Sequence, residues 1–184
     1  MNTTRHIDYE SLSDTELMAL VKSRQKYAFS ALVKRHQNAM LNFFRHLGVY
    51  NDAEDLAQET FLRLFKYRNR YKPKAKFTTF LYMMARQVRI DMLRKLKRTN
   101  DLSKKLNEAN VAAEKEVFSG KESEIDAEEL LRSLPEGMRS VVVLNIYQGF
   151  RYQEIADVLE IPVGTVKSRM FNALRMMKAS MNNG

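Results

Sequence analysis

The sequence predicts an all-α protein: two small helical domains joined by a linker, the C-terminal one a helix-turn-helix. Three observations predict it. Glycine and proline are scarce, 6 and 3 in 184 residues, so little punctuates the chain. Apolar residues recur through most of its length at the three-to-four-residue spacing that gathers them on one helical face. Charge is also unevenly placed. Residues 1–98 hold 20 Lys+Arg against 9 Asp+Glu, residues 99–130 hold 4 against 9, and residues 131–184 hold 7 against 4. An acidic, weakly patterned stretch between two basic, strongly patterned ones reads as a linker. The expected division is 1–98, 99–125 and 126–184.

The elements follow in order. Ser13-Asp14-Thr15-Glu16 is a capping box, in which the Ser hydroxyl and the Glu three residues on each accept a free backbone N–H. A helix should run from there to about Lys22. The next apolar stripe is Phe29, Leu32, Val33, Met40, Phe43, Phe44 and Leu47, and Gly48 suits its C-terminal stop. Asn51 is placed to cap a third helix, with Glu54 and Asp55 in its first turn and an end near Tyr67. The loop 68–76, RNRYKPKAK, holds one proline and five basic residues. A long helix is expected over 78–98, with Leu81, Met84, Ala85, Val88, Met92 and Leu96 facing the core. Its opposite face carries Met83, Arg86, Gln87, Ile90, Arg94 and Lys97. The linker shows one weak helical pattern near 107–118.

Beyond the linker, one helix ends near Pro135. A second spans 136–147 with Met138, Val141, Val142, Leu144 and Ile146, stopped by Gly149. A short helix over 152–159, the turn Glu160-Ile161-Pro162 and a helix over 163–178 make the helix-turn-helix. Ile155, Ala156, Leu159, Ile161 and Val166 form its small core. Met170, Ala173, Leu174 and Met177 complete the inward face of the last helix. That helix exposes Thr165, Lys167, Ser168, Arg169, Asn172 and Arg175, donors of the kinds that read base edges and phosphates in a major groove. Its first turn holds no acid, so the helix dipole also favours phosphate.

Composition narrows the function classes. The formal net charge is +9, and residues 63–98 hold 13 basic residues and one acid, Asp91. Such a block attracts a polyanion, although a solvated basic face has the same composition. The absence of cysteine excludes disulfides and cysteine-bound zinc. The N-terminal MNTTRHIDYE lacks the apolar run of a signal peptide, and no stretch approaches the ~18 apolar residues of a membrane span. A soluble, cytoplasmic protein without membrane insertion is expected. His6, His36 and His46 show no metal-ligand spacing. Asp52, Glu54, Asp55 and Glu59 lie at the start of one helix with no distant acid to complete a magnesium site. No catalytic residue, metal or cofactor is therefore expected, and the chain reads as a DNA-binding protein, not an enzyme.

Three segments carry a resemblance to a known family. IADVLEIPVGTVKSRMFNALRMM closely resembles the second conserved domain of bacterial RNA polymerase sigma factors of the extracytoplasmic-function type, with PVGTVKSR similar to its recognition helix. DAEDLAQETFLRLFK resembles the family's polymerase-binding helix, and KFTTFLYMMARQVRIDMLRK the helix that opens and reads the minus-ten element. Set in the family's order around a linker, they cover nearly the whole chain. The resemblance implies an alternative sigma factor with a region-2-like domain at 1–98 and a region-4-like domain at 126–184.

It also implies roles. Asp55, Gln58, Glu59, Phe61, Leu62 and Phe65 would dock on core RNA polymerase. Arg70, Lys72, Lys74, Lys76, Phe77, Thr79, Phe80, Tyr82, Arg86, Gln87 and Arg94 would hold melted minus-ten DNA. Thr165, Lys167, Ser168, Arg169, Asn172 and Arg175 would read the minus-thirty-five element. Phe77 and Phe80 read equally well as core residues. Phe80 stands where similar proteins often have Trp, and Gln87 where they usually have Asn. Gln offers the same bidentate contacts from one methylene farther out. The acidic linker would thread the polymerase's RNA exit path, or serve as an ordinary solvated tether. The implied partners are core RNA polymerase, promoter DNA as duplex and melted strand, and an anti-sigma factor. A plain helix-turn-helix repressor or activator with a helical sensing domain is the rival reading, and it leaves the basic block at 68–98 unexplained.

Overall fold

The computed structural model describes residues 7–106 and 127–182, and those residues are helical with no strand among them. Helix α1, Asp14–Lys22, begins with the expected capping box. The Ser13 N–H donates to Glu16 Oε2 at 2.8 Å, and the Glu16 N–H donates to Ser13 Oγ at 3.3 Å. Helix α2, Lys26–His46, ends where Gly48 takes a φ of +84°. Its N–H donates to the Arg45 carbonyl at 2.8 Å and that of Val49 to the Phe44 carbonyl at 3.0 Å. Both carbonyls would otherwise be orphans of the last turn. A Cβ at position 48 would also lie 3.0 Å from the Arg139 guanidinium.

Helix α3, Ala53–Tyr67, starts one residue later than expected, since Asp52 and not Asn51 occupies the cap position. Helix α4, Phe77–Leu106, carries the chain eight residues past the expected helix end and into the expected linker. Nothing between 99 and 106 breaks a helix: the segment holds no glycine or proline. The weak helical pattern near 107–118 lies outside the described residues.

The C-terminal elements are α5, Ala127–Ser133; α6, Glu136–Val142; α7, Tyr152–Leu159; and α8, Val163–Asn182. Helix α6 continues as one wide π turn, Val143–Tyr147, closed by Gly149 at φ +70°. The Asn145 side-chain amide donates to the Phe150 carbonyl at 2.8 Å and holds that exit in place. Glu160, at φ +53°, makes the left-handed cap between α7 and α8.

Helices α1 to α4 pack in sequence order, and α6 and α7 both pack on α8. Phe43, Phe44, Leu32, Met40, Leu64 and Leu81 are wholly or almost wholly buried in the first unit, and Val141, Leu144, Ile155 and Val166 in the second. Each such aliphatic or phenyl side chain contributes about 1.5–3 kcal/mol by leaving water. The two units also share a core, because α4 lies on α7 and α2 on the π turn. Two residues expected on inward faces are open instead. Leu96 on α4 and Leu174 on α8 are each 49% exposed.

Candidate nucleic-acid and polymerase interfaces

The helix-turn-helix is held by its elbow. The Ile161 N–H donates to the Ala156 carbonyl at 3.1 Å, and the Thr165 and Val166 N–H groups donate to the Pro162 carbonyl at 2.9 and 3.2 Å. Val166, Met170 and Ala173 are buried beneath α8, so the opposite side must face outward. There Lys167, Ser168 and Arg175 are exposed, and Thr165, Arg169 and Asn172 are half-buried. The Arg169 guanidinium passes over Gly137, where an added Cβ would lie 3.1 Å from its central carbon. No acid stands in the first turn of α8.

The basic face of the first unit divides into three groups. Arg70, Lys72 and Lys74 on the loop, and Gln87 and Arg94 on α4, are exposed. Arg70 and Gln87 meet across an open depression of about 670 Å³ that Lys66, Tyr67 and Asn69 also line. Phe80 is half-buried against the Tyr67 ring that lines it, with ring centroids 5.5 Å from Tyr67 and 5.2 Å from Tyr71. Gln87 donates to Asp91 at 3.1 Å, and Arg63 donates to the other Asp91 oxygen at 2.6 Å. The Arg63 guanidinium holds the Asp91 carboxyl below the usual carboxylate range. The one acid of the basic block thus ties α3 to α4 and fixes the Gln87 amide. Lys66, Tyr67 and Asn69 are not legible as site residues in the sequence, because nothing in their spacing shows that the end of α3 folds beside Gln87.

A second group corrects the expectation. Phe77 is 4% exposed and Thr79 2% exposed, so both are core residues rather than DNA contacts. Phe77 packs between the His36 and Tyr71 rings, at 5.4 and 6.3 Å.

The third group, Lys76, Tyr82 and Arg86, meets the C-terminal unit. Lys76 pairs with Glu154 at 2.7 Å and Arg86 with Glu160 at 2.8 Å. Tyr82 is buried edge-on against Phe43 and Phe150, with centroids 4.9 and 5.0 Å away, and its hydroxyl donates to Gln148. Burial pushes that hydroxyl's pKa well above its ordinary value. Arg89, the next residue on the same side of α4, pairs with Glu136.

Helix α3 presents Asp55, Gln58, Leu62 and Phe65 on one exposed face, at the three-to-four-residue steps that align side chains. Leu62 is 52% and Phe65 39% exposed. Phe65 is steadied by the Phe29 ring at 5.0 Å and by the Arg68 guanidinium 4.1 Å over its face. Glu59 is half-buried and held by Arg63 at 2.7 Å. Phe61 is corrected: at 6% exposure it points inward, one of the residues that fasten α3 to the core. Among the described residues, no group of three or more His, Cys, Asp or Glu could hold a metal ion.

A helix-turn-helix with a cationic second helix, joined to a helical unit with a cationic face, defines a DNA-binding protein with two separate contact surfaces. Comparison with known proteins narrows the class. Residues 32–99 match the family model Sigma-70 region 2, and residues 125–177 match Sigma-70, region 4. The chain is 30% identical over 176 residues to the ECF RNA polymerase sigma-E factor of Salmonella typhimurium, covering 89% of this chain and 92% of that one. It is 29% identical over 182 residues to the factor of the same name from Haemophilus influenzae, covering 92% and 95%. Its fold is similar to that of CnrH, solved with the cytosolic domain of CnrY, at a TM-score of 0.69 and 24% identity over 92% of this chain and 97% of that one. It is similar too to the sigma factor RpoE of Bartonella quintana, solved with the anti-sigma factor NepR, at 0.68 and 21% over 84% and 96%. The chain belongs to the ECF RNA polymerase sigma factors. It is an alternative sigma factor that binds core RNA polymerase and directs it to promoters, with the minus-ten element the target of region 2 and the minus-thirty-five element that of region 4.

Proposed function

We propose that this sigma factor grips a promoter at two places and melts the nearer one, and that it does so by binding alone, without chemistry of its own. In the first unit, Arg70, Lys72 and Lys74 hold the strand by its phosphates. The depression between Arg70 and Gln87, lined by the Tyr67 ring that Phe80 backs, receives an unstacked minus-ten base. Arg94 continues the cationic track, and Phe77 and Thr79 support it from the core. Lys76, Tyr82 and Arg86 join it when the C-terminal unit moves away. In the second unit, Lys167, Ser168, Arg169, Asn172 and Arg175 enter the minus-thirty-five major groove with Thr165 at the helix start. Asp55, Gln58, Leu62 and Phe65 dock on core polymerase, with Glu59 and Phe61 shaping that face from beneath.

The observation that carries this reading is the Arg70–Gln87 depression lined by the Tyr67 ring. It offers a cation, an amide and an aromatic edge at one place on an exposed surface. The units correspond to residues 1–98 and 126–184, with 99–125 between them, and α4 extends the first into that stretch. Similar folds were solved with CnrY and with the anti-sigma factor NepR, which supports an anti-sigma factor as the regulating partner here. Among the described residues no helix is long and apolar enough to cross a membrane, in keeping with work in the cytoplasm.

Arg169→Ala tests the assignment. It should lower initiation about tenfold on templates with an intact minus-thirty-five element, within the range of one lost base-edge contact. On templates lacking that element the loss should be under about twofold. An equal loss on both refutes the groove contact.

A further inference from the structure

A cavity of about 380 Å³ lies between α2 and α4 of the first unit and α6, α7 and α8 of the second. Its volume falls in the range of small-ligand sites. Its lining is of two kinds. Phe43, Leu47, Ile90, Leu159 and Ile161 are apolar, and Arg86, Arg89 and Arg169 are cations. We propose that the cavity binds a small phosphate monoester with a flat body, of the nucleoside monophosphate class. The guanidiniums hold the phosphate, and the apolar side chains take the body. The site does not depend on the promoter reading, and its test contains no DNA.

The cations outnumber their partners. Arg86 pairs with Glu160 at 2.8 Å and Arg89 with Glu136. Arg169 forms no ion pair among the described residues; its guanidinium lies across α6, where Gly137 leaves it room. Arg139 adds a fourth guanidinium next to Arg89. The two donate to the same Leu47 carbonyl, at 3.4 and 3.5 Å. The Nε of each is buried with no hydrogen-bond partner among the described residues. Burial, and then the Arg89 charge, push the Arg139 pKa below its ordinary value. Like charges crowded away from water, with buried donors left over, are costly until an anion meets them.

The size of the excess selects the anion. Four guanidiniums against two carboxylates leave two positive charges over. A phosphate monoester carries about −1.5 to −2 at neutral pH and matches them, whereas a carboxylate would not. The planar arginine fork suits phosphate oxygens, and its face stacks on flat rings. A bare phosphate would leave the five apolar side chains without a partner, which is why the ligand needs a body.

The test is isothermal titration calorimetry on the full chain at a pH of about 7.5, where the phosphate is largely dianionic. Adenosine 5′-monophosphate and guanosine 5′-monophosphate are the probes, with the two nucleosides alone and inorganic phosphate alone as separate arms. At least one monophosphate should bind at one equivalent, about tenfold or more tighter than either of its parts. Arg89→Gln and Arg169→Gln should each weaken it about tenfold, the effect of one lost charge-assisted contact. Glu136→Gln should strengthen it about threefold, because the largely exposed carboxylate that competes for Arg89 is gone. That gain cannot come from damage to the fold, and thermal unfolding checks the two losses. If Arg89→Gln unfolds the chain, Arg169→Gln and Glu136→Gln decide. Lys22→Gln removes an exposed charge on α1 and should change the affinity less than about twofold. No binding by either monophosphate, phosphate alone binding as tightly as both, a loss in Glu136→Gln, or equal losses in Lys22→Gln and the arginine variants overturns the inference.

Discussion

The outer face of α3 and the cleft face of α4 belong to neighbouring helices of one unit, yet they are built for different partners. Asp55, Gln58, Leu62 and Phe65 stand open, and two of the four are large and apolar. Tyr82, Arg86 and Arg89 are polar or cationic and already engaged. An apolar patch at a helix surface gains by burial against a matching protein and has little to offer DNA. A cationic face gains from any well-placed anion, so an internal carboxylate can stand in for a phosphate. The difference teaches that the two faces meet different chemistry: among the described residues, carboxylates of the C-terminal unit engage the second surface and leave Leu62 and Phe65 of the first exposed.

The largest expected effect breaks the α3 side of this comparison. Leu62→Ala with Phe65→Ala should lower affinity for core polymerase at least about thirtyfold, each acting as a buried anchor of the docked interface. Fluorescence titration against purified core checks it, with helical content by circular dichroism confirming the fold. A loss below threefold would mean that polymerase docks elsewhere. On the α4 side, Gln87→Ala should reduce open-complex formation about tenfold on preferred minus-ten sequences and relax the preference there, as expected for a lost base contact. A uniform loss across sequences would make Gln87 a support for Asp91 rather than a reader. Lys72→Ala should act more weakly. About twofold in single-strand binding, with a decrease of about 0.7 in the slope of log affinity against log salt, marks a single phosphate contact.

The smallest expected effect concerns pH. His46 stacks on Tyr147 across the junction at 4.1 Å, and its Nδ1 is buried without a hydrogen-bond partner. Burial lowers its pKa from the ordinary 6.5, with Glu128 opposing that shift in part. With the pKa lowered in the packed form, the open form takes up a proton first as pH falls through about 6.5. Packing is therefore unaffected above that pH and loosened below it. Scattering between pH 7.5 and about 5.5 should show a slight expansion that His46→Gln removes. Expansion persisting in the variant would place the titration elsewhere.

Much of this architecture is legible in the sequence because helices are local. Ser13 and Glu16, Gly48, Gly149 and the Glu160-Ile161-Pro162 elbow mark their boundaries through backbone chemistry within a few residues. The recognition helix is legible for the same reason, since Val166, Met170 and Ala173 dictate which way Lys167 and Ser168 face. The misreadings arise where a face has more than one neighbour. Phe61, Phe77 and Thr79 lie on helices packed on two sides, and motif spacing does not say which side is buried. Nor does a helical period reveal that Arg86 would meet an acid 74 residues away. Helix α4 outran its expected end because the polar run 99–106 weakens an apolar stripe without stopping a helix.

The central claim is that this chain turns core polymerase into a promoter-specific enzyme through two grips that act together. Run-off transcription from a library of genomic fragments, with purified core polymerase plus and minus the chain, tests it most directly. The account predicts discrete transcripts that appear only with the chain and are lost with Leu62→Ala/Phe65→Ala. No promoter-specific transcript from any fragment, together with no co-purification with core, would contradict it.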